Sequence, residues 1–145
     1  MLREEGIHAI GREECLRLLA GASVGRIVYT INALPAVLPV NFSYDGGVVI
    51  RTDSRSSLSR AVDHTVVAFE TDHVDEYTHT GWSVVIVGRA AVIRDPVEVE
   101  RLLVTGPRPW VPGPRDTFLR IKTELVTGRL LGPVKSPQES HVSHH

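Results

Sequence analysis

The chain alternates short stretches of β-branched and aliphatic residues with turn-forming residues, a pattern typical of an antiparallel sheet. These stretches predict six strands, over residues 23–31, 36–44, 48–52, 65–71, 81–94 and 117–131. An Asp-Gly-Gly turn at 45–47 predicts a tight hairpin between the second and third strands. Pro39 lacks a backbone donor, so we expect its strand to run at a sheet edge or to bulge there. Gly88 and Gly128 predict bulges or corners in the two longest strands.

Apolar residues at helical spacing occur in only three short segments. Helices are predicted over residues 11–20, 56–61 and 96–104, with irregular loops over 72–80 and 106–115. We expect Ser54 or Ser56 to cap the second helix, because a hydroxyl can accept a hydrogen bond from the first free N–H groups. Asp95 is expected to cap the third helix, with Pro96 in its first turn.

Many strands, tight turns and few helices favour a mainly β (α+β) fold, a six-stranded antiparallel barrel flanked by short helices. The βαβ alternation and the GxGxxG motif of the Rossmann fold are both absent from the sequence. We predict one folded domain over residues 1–131 and a disordered polar tail over 132–145.

Composition narrows the classes of function. A formal charge of −1 gives no general attraction to nucleic acid or to an anionic membrane surface. The single cysteine, Cys15, excludes an intrachain disulfide and fits a cytoplasmic protein, in which we expect it to be a plain core thiol. The N-terminal residues show no secretory signal pattern, and no run of eighteen apolar residues predicts a membrane span.

The segment RTDSRSSL at residues 51–58 carries the most distinctive chemistry. It follows a predicted strand, precedes a predicted helix and offers the guanidinium groups of Arg51 and Arg55. It also offers the hydroxyl groups of Thr52, Ser54, Ser56 and Ser57. Guanidinium groups, hydroxyls and the free N–H groups of a helix start are suited to binding phosphate. A solvent-exposed arginine pair, bridged to Asp53, is the simpler alternative.

Several pieces of the sequence occur together in a fixed order. They are GRIVYT at 25–30, LPAVLPVNFSYDGG at 34–47, VVIRT at 48–52, VVAFETD at 66–72, TGWSVVIVGRA at 80–90 and PW…PG.RD…RI at 109–121. With this ordered set the chain resembles the pyridoxamine 5′-phosphate oxidase-like family of FMN-binding split barrels, in its small actinomycete-type branch. The resemblance implies a homodimer with two flavin mononucleotides (FMN) at the subunit interface, each touched by both chains.

The resemblance also implies which residues would hold the cofactor. Its ring system would be lined by Pro39, Val40 and Asn41 and covered by Trp110, with Trp82 and Ser83 bordering the ring or its partner-chain side. Its phosphate and ribityl chain would be contacted by Arg51, Thr52 and Ser56. Simple packing, at a dimer seam or on the barrel mouth, is the alternative role for the two tryptophans.

The sequence departs from the family pattern in the phosphate loop. Relatives commonly carry Gly-Ser-Lys or Gly-Arg-Lys where this chain has Arg55-Ser56-Ser57. Arg55 could supply the missing positive charge from two positions earlier, because a guanidinium can bind phosphate through two hydrogen bonds. The missing lysine leaves a deazaflavin, or no cofactor at all, as alternatives to FMN.

We predict a flavin-dependent oxidoreductase that transfers hydride between the flavin and a small organic substrate, with no assigned catalytic residue. The sequence contains no GxSxG elbow or other nucleophile–base set, which suits chemistry carried by a cofactor. The histidines and carboxylates at 73–79 match no metal-ligand spacing, so no metal is predicted. The alternatives are a deazaflavin-dependent reductase, a non-catalytic flavin- or haem-binding module, and a cofactor-free structural dimer.

Overall fold

A computed structural model describes residues 6–110, 113 and 115–132 of the chain. It contains three helices, α1 (Arg12–Ala20), α2 (Ser57–Val62) and α3 (Pro96–Thr105). The strands of the described residues are β1 (Ile7–Ile10), β2 (Val24–Ile31), β3 (Leu34–Tyr44), β4 (Val48–Thr52), β5 (Thr65–Asp75), β6 (Thr80–Val92), β7 (Thr117–Ile121) and β8 (Leu125–Leu131). The predicted tail beyond residue 132 lies outside the described residues, so its disorder stays a prediction.

Six of the strands close into a barrel. Strand β2 pairs with β3 on one side and with β5 on the other, and β4 and β7 continue from β3. A pairing between β6 and β7 closes the ring, and every pairing is antiparallel. Strands β8 and β1 extend the sheet outward from β6. The prediction of a mainly β, six-stranded antiparallel barrel with short flanking helices is confirmed.

The prediction of a single strand over residues 117–131 is wrong, because this segment forms β7 and β8 with three residues between them. The cause lies in β6, which pairs with β8 over Gly81–Val87 and with β7 over Ala90–Val92. Gly88 stands at the change of partner, where a Cβ atom would lie 1.8 Å from the carbonyl oxygen of Lys122. The corner predicted at Gly88 is therefore present.

The strands differ from the prediction in further places. Residues 72–75 continue β5 instead of forming a loop, and their backbone pairs with the start of β6 beyond the barrel. Their side chains are exposed, which explains the polar sequence. The sequence analysis also missed β1, a four-residue strand that adds to the edge of the sheet along β8.

The edge position predicted at Pro39 is confirmed. Pro39 pairs with Arg26 of β2, whereas the pairing of β3 with β4 is limited to Phe42–Tyr44. The far side of this part of β3 is therefore open, and a residue without an N–H group costs no ladder hydrogen bond there. The open edge borders the groove described below.

The barrel interior is filled by aliphatic side chains around an edge-to-face contact between Phe42 and Phe69, whose ring centroids lie 4.7 Å apart. Helix α1 adds Cys15, which is fully buried, and burial raises the pKa of its thiol. A Cβ atom on Gly128 would lie 2.4 Å from its Sγ, so this glycine lets the helix approach β8. These contacts fit the core role predicted for Cys15.

Both predicted helix caps are present. Ser56 Oγ accepts a hydrogen bond from the Ser59 N–H at the start of α2, and Asp95 accepts one from the Val97 N–H at the start of α3. In the part of the chain that the structure describes, no helix combines the length and the apolar character that crossing a bilayer requires.

Candidate functional site

A groove of about 310 Å³ lies between the open part of β3, the end of β4 and the segment that precedes β7. Its wall along β3 is mainly apolar, whereas its end at β4 and α2 carries guanidinium, hydroxyl and carboxylate groups. The residues that line it are Leu38, Pro39, Val40, Asn41, Arg51, Thr52, Asp53, Ser56, Leu58, Pro109, Trp110 and Arg115. The groove therefore has one end suited to an anion and one wall suited to an apolar ring.

Arg51 is held in place at the polar end. Its Nε donates to the carbonyl oxygen of Arg115 at 2.8 Å, and its guanidinium carbon lies 5.3 Å from the ring centroid of Phe118. Phe118 is the pairing partner of Arg51 across β4 and β7, so the ladder itself sets this contact. Among the described residues, the terminal nitrogens of Arg51 have no hydrogen-bond partner. They can therefore bind an anion in the groove without giving up an internal contact.

Two hydroxyl groups stand beside this guanidinium. The side-chain oxygens of Thr52 and Ser56 lie 3.2 Å apart, and Ser56 also caps α2. Behind them, the Ser59 hydroxyl is buried and donates to backbone carbonyl oxygens of the turn that precedes the helix. This packing fixes the turn, so the Thr52 and Ser56 hydroxyls are presented together at the end of the groove.

The loop between β4 and α2 is stiffened by two carboxylates. Asp53 accepts hydrogen bonds from the backbone N–H and the guanidinium of Arg55, and Asp116 accepts from the N–H and hydroxyl of Ser54. The pKa of Asp53 is lowered, chiefly by the Arg55 backbone N–H. The pKa of Asp116 is lowered chiefly by the Ser54 backbone N–H. Both groups are therefore anionic at neutral pH, and Asp53 brings a negative charge to a groove that also holds Arg51.

Trp110 and Asn41 connect the two walls of the groove. The Trp110 backbone N–H donates to the Asn41 Oδ1 at 3.2 Å, which ties the segment before β7 to the open part of β3. The Trp110 side chain is 69% exposed and lies at the mouth of the groove. An indole in this position can cover a ligand but buries little surface without one.

The groove brings together most of the side chains expected to hold a cofactor. Those that line it are Pro39, Val40, Asn41, Arg51, Thr52, Ser56 and Trp110. The structure does not bring four others to it, namely Arg55, Ser57, Trp82 and Ser83. Whether any of these residues contacts a cofactor stays a prediction.

The four outlying residues have other surroundings. Arg55 points away from the groove, with a side chain that is 79% exposed and paired with Asp53. Ser57 lines a separate shallow depression beside the β2–β3 turn. Trp82 lies on β6 and packs against the barrel core, and Ser83 follows it on the opposite face of the strand. Within one chain, therefore, neither Trp82 nor Ser83 lines the groove.

Arg115 is the main residue that the sequence analysis missed. It lines the groove and provides a second guanidinium there, and its carbonyl oxygen anchors Arg51. Its motif, the PG.RD run, was among the pieces that indicated the family, but it was not assigned a role. The other lining residues not predicted are Leu38, Asp53, Leu58 and Pro109.

An acidic pair lies outside the groove, on the outer face of β5. Glu70 and Asp72 share Arg26 of β2, whose nitrogen lies 3.1 Å from a Glu70 oxygen and 3.6 Å from an Asp72 oxygen. Burial, together with the neighbouring Asp72 carboxylate, raises the pKa of Glu70 to about 7. Arg26 pairs in turn with Pro39, so the acidic pair is two strands from the apolar wall of the groove.

The described residues contain no group of three or more histidine, cysteine or carboxylate side chains that could hold a metal ion. This statement includes residues 73–79, whose side chains are exposed on the β5–β6 hairpin.

Comparison with known proteins identifies the fold family. The family model described as pyridoxamine 5′-phosphate oxidase matches residues 11–130. The chain belongs to this family. The match includes all six barrel strands and every described residue of the groove.

Individual proteins are similar to this chain over most of their length. An uncharacterized protein of Mycobacterium tuberculosis is 41% identical over 138 residues, which cover 88% of each chain. A conserved protein of unknown function from Corynebacterium diphtheriae is 33% identical, with a TM-score of 0.73, over 88% of this chain and 99% of that one. An FAD-binding protein from Mycobacterium smegmatis is 27% identical, with a TM-score of 0.68, over 86% of this chain and 98% of that one. Flavin binding thus occurs among the structural relatives of this chain.

Proposed function

We propose that the chain is a flavoprotein that binds FMN in the groove between β3, β4 and the segment before β7. The observation that carries the proposal is the polarity of the groove. Arg51, Thr52 and Ser56 converge at one end, and the Leu38–Val40 part of β3 forms an apolar wall at the other. A phosphate needs the first set of groups, and a flat ring system needs the second.

The donor set fits a bound phosphate. The terminal nitrogens of Arg51 can donate two parallel hydrogen bonds, and the hydroxyls of Thr52 and Ser56, which share one hydrogen bond with each other, can donate one more. The groove is open to solvent at Trp110, so a nucleotide-sized ligand can extend beyond its enclosed volume. Arg55 offsets the negative charge of Asp53, which would otherwise oppose the phosphate.

We propose that the reaction is hydride transfer to or from a small organic substrate. A bound flavin would supply the hydride acceptor and donor. The chain itself would hold the phosphate end, present the ring along the apolar β3 wall and exclude water with Trp110. We assign no protein group as acid or base in this reaction. The single cysteine is consistent with a cytoplasmic location for this chemistry.

We further propose that the active unit is a homodimer with the cofactor at the subunit interface. Two features support this proposal. Trp82 and Ser83, expected beside the ring, lie away from the groove of their own chain, so a second copy would have to supply them. The open part of β3 also exposes the apolar side chains of Leu34 and Val37, which a second copy could cover.

The second candidate function is that the chain binds another flavin, either FAD or a deazaflavin, or that it binds its ligand without turnover. The FAD-binding relative from Mycobacterium smegmatis favours FAD as an alternative ligand. This chain has Ser57 where relatives carry the phosphate-loop lysine. The altered loop makes a deazaflavin the other alternative ligand to FMN.

The test is a titration of the purified chain with FMN, FAD and a deazaflavin, read by flavin fluorescence and by the visible spectrum. The variant Arg51→Ala removes the guanidinium at the polar end and should weaken FMN binding about 10–100-fold, because a hydrogen bond to a charged group is worth about 1.5–3 kcal/mol. Arg60→Ala is the matched control, since Arg60 is an exposed arginine of nearby α2 that does not line the groove. It should leave the affinity within about twofold.

Equal affinity of the Arg51→Ala variant and the unchanged chain would contradict the proposed phosphate position. A thermal unfolding curve of each variant shows whether the loss of the Arg115 contact has loosened the groove. Turnover is tested separately, by following flavin bleaching with a reduced nicotinamide and reoxidation by an added acceptor. Tight binding without bleaching would favour the non-catalytic alternative. Sedimentation of the chain with and without FMN tests the dimer.

A further inference from the structure

A second cleft, of about 440 Å³, lies between the start of α3 and the outer face of strands β6 and β7. It shares no lining residue with the flavin groove. Its floor consists of Ala91 and Val92, the last two residues of β6, and Ile93, which follows them. The Ile93 N–H donates to the Phe118 carbonyl oxygen at 2.8 Å, so the floor is fixed to β7 by the backbone.

Positive side chains surround this apolar floor, and two of them are neutralised within the fold. Arg120 is paired with Glu98 of α3 at 2.5 Å, and its Nε donates to the Asp45 carbonyl oxygen. Arg94 is paired with Asp63 at 2.7 Å. These two arginines therefore build the walls of the cleft and have little charge left to offer a ligand.

Arg89 and Lys122 are different. Among the described residues, neither side chain has a carboxylate within ion-pair distance, and Arg89 donates only to the carbonyl oxygen of His64, at 2.9 Å. The two residues are adjacent, because the Lys122 N–H donates to the Arg89 carbonyl oxygen at 3.0 Å. The corner at Gly88 thus brings two cationic side chains to one end of the cleft.

The carboxylates nearest to this end have other partners. Glu124 accepts from the backbone N–H of Arg89 at 2.7 Å, and Asp95 accepts from the Val97 N–H as the cap of α3. They reduce the local positive charge, but among the described residues the Arg89 guanidinium has only the His64 carbonyl oxygen as a fixed acceptor and the Lys122 ammonium has none. An anion seated between these two side chains would provide one.

We propose that this cleft is a second binding site, which takes a small organic anion with a carboxylate or phosphate head and a short apolar body. The head lies between Arg89 and Lys122, and the body lies on the Ala91–Ile93 floor. Because the site shares no residue with the flavin groove, it is independent of the proposed cofactor.

The test follows backbone amide signals of the FMN-loaded chain by nuclear magnetic resonance during titration with four probes. Phenyl phosphate and benzoate carry both head and body, inorganic phosphate carries the head alone, and phenol carries the body alone. We expect the first two to shift the amides of Ala91, Val92 and Lys122. Comparison of the first two probes shows which anionic head the site prefers. We expect inorganic phosphate to bind more weakly and phenol to leave these amides unshifted.

Charge-removing variants complete the test. Lys122→Gln should weaken binding of the preferred probe about fivefold, the effect of losing one exposed ionic contact. Arg17→Gln removes the same charge from α1, far along the chain from the cleft, and should change the affinity by less than twofold. Equal losses of probe affinity in the two variants, or amide shifts confined to Thr52 and Ser56 of the flavin groove, would overturn the proposal. If the chain does not bind FMN, the cleft amides still give the answer.

Discussion

The acidic pair on β5 makes the free energy of unfolding depend on pH in a direction opposite to that of most carboxylates. Glu70 is 26% exposed in its side chain, and burial beside Asp72 raises its pKa from 4.5 to about 7. Between these two values the folded chain binds more protons at Glu70 than the unfolded chain does. The free energy of unfolding therefore falls as the pH rises from about 4.5 to about 7.

The size of this effect follows from the change in pKa. A change from 4.5 to about 7 corresponds to at most about 3 kcal/mol, at 1.36 kcal/mol for each tenfold change in proton affinity. Solvent reaches part of the side chain and screens its charge, which reduces the expected effect to about 1–2 kcal/mol. The variant Glu70→Gln removes the titrating group but keeps nearly the same shape, so it should lose this part of the pH dependence.

The assay is urea unfolding at pH 5 and pH 8, at one protein concentration, for the unchanged chain and for Glu70→Gln. On going from pH 5 to pH 8, the unchanged chain should lose about 1–2 kcal/mol more than the variant does. Glu100→Gln is the matched control, because Glu100 is exposed on α3, and its curve should follow that of the unchanged chain. Asp72→Asn should also reduce the pH dependence, because it removes the neighbouring negative charge. A constant difference between the unchanged chain and Glu70→Gln at both pH values would refute this reasoning.

The other two predictions concern the barrel corner and the phosphate loop. Gly88→Ala should lower the free energy of unfolding by about 3 kcal/mol, because the added Cβ would lie 1.8 Å from a backbone oxygen that cannot easily move. Gly21→Ala is the control, because its Cβ would meet no atom closer than 3.7 Å, and it should hardly change the free energy of unfolding in the same urea experiment. Equal losses of this free energy in the two variants would contradict the role of the corner. Arg55→Ala should weaken FMN binding by at most about fivefold, because it exposes the Asp53 charge but removes no contact in the groove. A loss as large as that of Arg51→Ala would instead mean that Arg55 contacts the phosphate directly.

The barrel was predictable because its strands are specified locally. Each barrel strand from β2 to β5 has its own β-branched stretch and ends at a turn signal, such as the glycines after Asp45. The division between β7 and β8 was not predictable in this way. It is set by β6, which changes partner at Gly88, and a change of partner is a property of three strands together.

The groove was predictable only in part, for a related reason. Arg51 and Arg55 look alike in the sequence, because both lie in the polar stretch that follows the apolar run at residues 48–50. The structure separates them through pairing, which holds Arg51 against Phe118, while the turn at Asp53 directs Arg55 outward. Strand register and turn geometry thus decide which of two equal charges reaches the groove.

Arg115 changes how the missing phosphate-loop lysine should be understood. A phosphate loop without its lysine should bind an anion poorly if the loop were the only source of positive charge. Here the pairing of β4 with β7 brings Arg115 to the groove, although it lies 64 residues after Arg51 in the sequence. The groove therefore holds two guanidinium groups from separate parts of the chain, and Arg55 reduces the effect of Asp53, the one carboxylate among its described lining residues. On this balance of charges, Arg51 and Arg115 keep the groove cationic even though Ser57 stands in place of the lysine.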